Sequence, residues 1–273
     1  VRVKVGVVGH VEWIDYARVE RVPRAGEIAH ASEHWSEAGG GGAVSAVQLA
    51  NLAGAATLFA ALGNDELGRR AAAQLESQRV QVQSPPLPLP QRRAFTFVDD
   101  DGERTITVMA PKLPISGSDE RLPWHELEEF DGVYFVSGDP ESVRRARRAR
   151  VLVATSRVLP MLREAGVELD ALVGSASDAG ERYEPGDLDP PPRLVVLTEG
   201  AAGGFVLGGD RYAPVPPPGA VIDTYGCGDC FAAGLTFGLA AALPLGQALA
   251  LAARCGATVL TGRGGCGNQY RLV

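Results

Sequence analysis

Asp223-Thr-Tyr-Gly-Cys-Gly-Asp-Cys-Phe231, continued by Ala232-Ala-Gly-Leu235, runs a glycine-broken turn straight into an apolar helix and sets a carboxylate at the junction. Gly226 and Gly228 admit backbone conformations that a Cβ blocks. The amides of Gly226, Cys227 and Gly228 then emerge at the positive end of a helix, where backbone N–H groups favour an anion. Asp229 stands at the mouth of that anion site. Amides that stabilise charge, beside a carboxylate that takes a proton, are the parts that phosphoryl transfer to a hydroxyl requires. The competing reading is structural, with Asp229 capping the helix.

Outward from this run the chain alternates strand and helix. Residues 1–9 read as a buried strand. Gly39-Gly-Gly-Gly42 opens an apolar helix over 43–53. A strand over 57–62 and a polar helix over 65–79 follow, with Asp65 as N-cap. Strands and helices then succeed one another at 133–136, 140–149, 151–154, 158–165, 171–173 and 194–198, which predicts a parallel sheet with helices on both faces. Strands at 203–207 and 211–215 precede two last helices, 228–242 and 245–260. Two hairpins interrupt the pattern, 17–34 and 93–109, the second turned at Asp100-Asp-Gly-Glu103. The Pro-rich run Ser84-Pro-Pro-Leu-Pro-Leu-Pro90 is a stiff connector and not a domain boundary. Residues 1–273 thus read as a single domain, a three-layer α/β/α sandwich with a small β lid made of the two hairpins.

Composition narrows the function classes. Hydrophobic residues are 45% and charged residues 22% of the chain, as in a globular domain with a full core. A formal net charge of −7 argues against a general nucleic-acid or anionic-membrane binder. The basic run Arg144-Arg-Ala-Arg-Arg-Ala-Arg150 reads as a solvated helix face on an acidic chain. The best candidate for a membrane span, 231–243, is too short and reads as a buried helix. Residues 1–9 lack the pattern of a secretory leader, so a cytoplasmic location is expected. Cys227 and Cys230 form a C-x-x-C, but Cys255 and Cys266 do not repeat that spacing. Small core residues are therefore expected there, not zinc ligands.

The run at 223–229 resembles the D-T-x-G-A-G-D signature of the ribokinase-like (PfkB) carbohydrate kinases, with Cys227 where alanine is usual. The resemblance extends in order from Val3 to about Gln269. It implies a ribokinase-like fold, ATP and Mg²⁺, and a small-molecule sugar or nucleoside phosphorylated on a hydroxymethyl group. It makes Asp229 the catalytic base and Gly226, Cys227 and Gly228 the anion hole. It assigns the acceptor to Gly39, Gly40 and Gly41, where bare backbone lets a polyhydroxyl molecule approach, and to Asp15, with Glu12 as the competing carboxylate in Gly9-His-Val-Glu-Trp-Ile-Asp15. Arg104 in the second hairpin reads either as a lid contact or as a solvent-facing strand residue. Thr198, Gly200 and Gly203 border the nucleotide, as do Thr224 and Asn268.

The resemblance also implies metal handling near Ser175 and Asp178, which replace the family's N-x-x-E, and a monovalent cation (K⁺) at Asp223 and the Tyr225 carbonyl. Val44 stands where asparagine is frequent. With Trp13 it predicts a less polar pocket that leans toward a nucleoside or an unusual sugar. No nucleic-acid or membrane partner is expected. The lid hairpins either close over the substrate or form a homodimer face. Two rival classes remain. A regulatory binding protein that kept the fold and lost turnover draws on the altered Ser175/Asp178 pair. A dinucleotide enzyme requires a G-x-G-x-x-G that the first strand does not supply.

Overall fold

Strands that read as unbroken apolar runs become the interior of one sheet. The computed structural model describes residues 3–272; Val1, Arg2 and Val273, which the expected first strand and domain include, lie outside the described residues. The first half contains β1 (Val5–Val8), β2 (Glu12–Arg18), β3 (Glu33–Gly39), α1 (Gly41–Ala53), β4 (Ala56–Phe59), β5 (Leu62–Gly63), α2 (Glu66–Ser77), β6 (Val80–Gln83), β7 (Pro86–Leu87), β8 (Arg93–Val98) and β9 (Arg104–Val108). The second half contains β10 (Gly132–Phe135), α3 (Pro140–Ala146), β11 (Val151–Thr155), α4 (Leu159–Ala165), β12 (Ala171–Ser175), β13 (Val195–Thr198), β14 (Gly204–Val206), β15 (Arg211–Tyr212), α5 (Cys227–Ala240) and α6 (Leu245–Val259). The main sheet has nine strands in the order β15-β14-β13-β12-β11-β10-β1-β4-β6. It is parallel from β13 to β6 and antiparallel at the β14–β15 edge.

Side-chain alternation sorts each strand between two cores. Val7, Leu58, Tyr134, Val153, Val173 and Val196 pack with α1, α2, α5 and α6. Val8, Phe59, Val133, Phe135, Leu152, Leu172 and Val195 pack on the other face with α3, α4 and the 3₁₀ turn at Trp124–Glu129. The result is the expected three-layer sandwich. Helices α1 and α5 are buried nearly all round, as their unbroken apolar composition requires. Cys255 packs against Gly234, so a small residue there brings α6 onto α5.

A second sheet of four strands, β3-β2-β8-β9, stands apart from the first. It grows from the carboxyl end of β1 and returns the chain to the start of α1. The expected first hairpin is displaced. Its strands are 12–18 and 33–39, not the two halves of 17–34. Residues 19–32 form its connection, most of which is exposed. Polar residues on both faces of β3 hide the period-2 pattern that marks a strand. The second hairpin pairs β8 with β9 as predicted. The Pro-rich connector carries the short β7, which pairs with β5. The basic run does not simply face solvent. Arg147 pairs with Asp170 at 2.7 Å, Arg148 with Glu128 at 3.1 Å and Arg150 with Asp131 at 2.9 Å. No described helix is long and apolar enough to cross a membrane.

Asp65 caps α2 as expected, with Oδ1 accepting from Gly68 N at 2.9 Å, and its Oδ2 accepts from Gln91 N at 3.0 Å. Asp65→Ala strands both donors and is expected to lower unfolding free energy by about 1–2 kcal/mol, read as a shifted urea midpoint at unchanged slope.

Candidate active site

The turn that starts α5 is held from below by a fully buried acid. Asp223 accepts from Tyr225 N at 2.8 Å and from Gly264 N at 2.9 Å. Tyr225 in turn uses its hydroxyl to accept from Gly40 N at 2.8 Å. One chain of bonds thereby joins the 264–265 loop, the 223–226 turn and the glycine run before α1. Gly226 has φ +83°, a left-handed conformation, and a Cβ there would lie 2.9 Å from Val44. No side chain caps the helix. Among the described residues, no backbone carbonyl accepts from the N–H groups of Gly226, Cys227, Gly228 or Asp229. Those donors are the orphans that any helix start leaves; Gly226, Gly228 and Asp229 line a cavity, and Cys227 does not. Asp229 lies in the first turn of the helix and makes no capping bond.

The cavity measures about 330 Å³. His10, Val136, Thr155, Gly174 and Thr198 line it from the carboxyl ends of the parallel strands, while Gly226, Gly228 and Asp229 line it from α5. A crevice at those strand ends is where open α/β sheets bind ligands. Arg104 and Ile106 reach in from β9. Burial pushes the Asp229 carboxyl up to about 6, with the Arg104 guanidinium opposing the shift. Burial holds His10 down at about 3, helped by the charges of Lys112 and Arg92. His10 is therefore neutral, and its Nδ1 is buried without a partner. Glu12, 6% exposed, lies 2.8 Å from Arg92 Nε and 3.7 Å from His10 Nε2. Its carboxyl is raised by burial, against the pull of Arg92.

Not every expected residue arrives. Glu12 points inward, whereas Asp15, an odd number of residues along the same strand, points outward to Ser36 at 2.6 Å and Arg93 at 2.8 Å. Strand alternation thus excludes Asp15 from the cavity; Glu12 is buried beside Arg92 and His10 but does not itself line the cavity. Gly39 and Gly40 support Tyr225, and Gly41 borders the cavity beside Asp229. Arg104 is fixed over the site by the carbonyl and hydroxyl of Thr224, which makes Thr224 a support for Arg104. Thr198 lines the cavity, while Gly200 and Gly203 shape the turn after β13 with φ of +57° and +85°.

Asp178 caps the 3₁₀ turn at Ala179–Glu181 and pairs with Arg157 at 2.7 Å. Asp223 spends both oxygens on amides and does not reach the cavity. Asn268 donates to Thr261 at 2.8 Å and lines a separate cavity of about 560 Å³ that shares no residue with the first. Trp13 stacks under Arg70 on the outer side of the small sheet, and Val44 packs beneath the turn at Gly226 and Gly265. Neither lines the cavity, so the expected apolar pocket loses its basis.

Sequence reasoning missed His10, Lys112, Thr155, Arg157 and Glu181, all of which line the cavity. His10 carried a signal, since it directly follows the first strand. Thr155 ends β11, and the others sit in connections with no motif. Glu37 was also missed. It accepts from Gly265 N at 3.1 Å, and burial raises its carboxyl to about 8.

A family model described as pfkB family carbohydrate kinase matches residues 3–159 and 167–270. The chain is 30% identical to a fructokinase of Salmonella typhimurium, the match covering 83% of this chain and 86% of that protein. It is 29% identical to an ATP-dependent ribose-1-phosphate kinase of Halopiger xanaduensis, over 93% and 91% of the two chains. Its fold superposes on a Thermotoga maritima ribokinase with a TM-score of 0.77 at 19% identity, covering 97% of this chain and 95% of that one.

Two measurements test the geometry. A Cβ on Gly41 would lie 2.8 Å from both Asp229 Oδ1 and Val136 Cγ1. Gly41→Ala is therefore expected to displace the carboxylate and cut turnover by roughly tenfold or more, with a melting temperature close to wild type. The raised Asp229 carboxyl also has a sign. The native state binds its proton more tightly than the unfolded chain, so its contribution to stability falls as pH rises from about 4 to about 6. Asp229→Asn should therefore gain stability relative to wild type as pH is taken from 4 to 8 in paired urea titrations; a constant difference would contradict the assigned environment.

Proposed function

Because the chain belongs to the pfkB family of carbohydrate kinases, we propose the following roles for its residues in ATP-dependent transfer of a phosphoryl group to a sugar. One observation carries the reading: Asp229 lines a cavity in the first turn of a helix that no side chain caps. Asp229 accepts the proton of the acceptor hydroxyl. The freed oxygen attacks the γ-phosphorus of ATP, and the bond to the β-phosphate oxygen breaks, leaving its electron pair on ADP. The amides of Gly226, Cys227 and Gly228 hold the negative charge of the migrating group, and Arg104 adds a cation above them. Burial tunes the base. With its carboxyl near 6, Asp229 is ionised at neutral pH yet more basic than an exposed aspartate.

The acceptor rests on Gly41, the member of the glycine run that lines the cavity, while Gly39 and Gly40 support Tyr225. Glu12 replaces Asp15 as its carboxylate, and neutral His10 offers an unpartnered ring nitrogen. Thr198 and the turn at Gly200 and Gly203 border the nucleotide. The family's divalent ion, when bound, screens phosphate charge. Asp178 and Glu181 flank Arg157 and are the carboxylates suited to hold it through water. Asp223 acts as the tie of the turn, not as a cation ligand. The small sheet acts as a lid, supported by Arg104 and Ile106 on its inner face, and it excludes water from the transfer. The acceptor carries a free hydroxymethyl group, as the fructokinase and ribose-1-phosphate kinase names of the relatives suggest.

Asp229→Asn is expected to lower kcat by about 10²–10⁴-fold while ATP binding, followed by calorimetry, stays near wild type. In the wild type, kcat/KM should rise with pH through a single limb near 6, because only the ionised base accepts the proton. Near-normal turnover in the variant would remove Asp229 from this role.

A further inference from the structure

We infer that the second cavity, of about 560 Å³, is a regulatory site for a small hydroxylated molecule that carries an oxyanion, and that Arg79, Asn51 and Gln269 link its occupancy to the catalytic turn. Only the identity of the regulated step rests on the kinase reading above. The cavity opens between α1, the end of α2, α6 and the segment 266–271. Arg79 and Arg271 line it, and no aspartate or glutamate does. Among the described residues neither arginine is in an ion pair, whereas Arg147, Arg150 and Arg157 are each matched by a carboxylate. Arg79 Nη2 donates to Asn51 Oδ1 at 3.1 Å, which leaves the other N–H groups of its fork for an oxyanion. Gln78, on the same wall, has a buried Oε1 that no donor meets; a hydroxyl beside the oxyanion supplies one. Ser77, Thr258 and Asn268 add neutral polar groups for further hydroxyls. The volume suits a small organic molecule and not a bare phosphate.

Hydrogen bonds join this cavity to the base of the catalytic turn. Asn51 Nδ2 donates to Gln269 Oε1 at 3.2 Å. Gln269 is 6% exposed, and its Nε2 donates to the Gly265 carbonyl at 2.8 Å and to the Val44 carbonyl at 3.0 Å. Those two residues are the bed of the turn. A Cβ on Gly265 would lie 2.4 Å from Val44 Cγ2 and 3.0 Å from Tyr225 Cδ1, so there is no slack between them. The relay therefore runs from Arg79 through Asn51 and Gln269 to the backbone on which Gly226 and Tyr225 rest. Its first member, Arg79, is exposed. An oxyanion that fixes the guanidinium orders the relay from that end. A network already ordered by one ligand costs less to order for a second, so the two cavities bind their ligands cooperatively.

The test uses the whole chain and calorimetry, with glucose 6-phosphate, glucuronate, glucose and inorganic phosphate as probes. Glucose 6-phosphate and glucuronate differ in the oxyanion they carry, so their order identifies the preferred source. The better of the two is expected to bind about tenfold or more tightly than glucose or inorganic phosphate, and the double variant Arg79→Met/Arg271→Met to remove that margin. With that probe saturating, ATP should bind about fivefold more tightly. Asn51→Leu breaks the relay and is expected to abolish the shift in ATP affinity while probe binding stays within about fivefold of wild type. None of these readings needs turnover, so they hold or fail apart from the kinase assignment, which Asp229→Asn tests. Equal binding of glucose, or probe binding that survives the double arginine variant, overturns the site. A probe that weakens ATP binding in the wild type and the arginine variant alike occupies the catalytic cavity and overturns it as well. An unchanged ATP affinity overturns the regulatory role, and a shift that persists in Asn51→Leu overturns the relay.

Discussion

The buried carboxylate of Asp223 is the constraint on which the site depends. It has no contact with solvent, and each oxygen holds a backbone amide from a different segment. Bonds of this charged kind contribute roughly 1.5–3 kcal/mol each. Their larger effect is positional. With Tyr225 N held by Asp223 and the Tyr225 hydroxyl held by Gly40, the turn has little freedom to collapse onto its own amides. A helix start without a cap is normally a cost, because its N–H groups lose water and gain nothing. Here the tie keeps those groups directed into a cavity where an anion can meet them.

The same cavity sets two electrostatic tendencies against each other at Asp229. The positive end of α5 favours its ionised form, and so does Arg104. Burial disfavours that form, and burial prevails. A weak, exposed carboxylate would be a poor base, and one wholly starved of positive charge would stay protonated. The position between those limits follows from the packing of Asp229 beside Gly41 beneath the strand ends, with the guanidinium of Arg104, and to a lesser degree that of Arg157, opposing burial.

Much of this was legible from residue order. The parallel strands announced themselves as apolar runs because they are covered on both faces. The 223–231 run was readable because glycine and aspartate at fixed offsets have few structural reasons to coincide. The small sheet was harder. Trp13 to Tyr16 and Trp35 to Glu37 carry aromatic and charged residues on both faces, so their period was obscured and the first hairpin was misplaced. Asp15 and Glu12 were both open as the acceptor carboxylate, and only the parity of the strand separates them. Lys112, Arg157 and Glu181 were out of reach because only the fold brings their connections to one cavity. Asn268, in a glycine-rich neighbourhood that resembled a binding loop, faces a different hollow.

Separating the interior into two cores has an evolutionary consequence. The half that includes α1 and α5 contains Tyr225, Val44 and the base of the turn, so a change of one methyl group there is felt at the reacting atoms. The half built on α3 and α4 reaches the cavity through the connections that carry Arg157 and Glu181. Away from those connections, drift in that layer is taxed in stability alone. Lineages can therefore rework its outer helices and its arginine-rich rim, and even acquire new surface partners there, while the catalytic inheritance passes unaltered through the opposite side of the sheet.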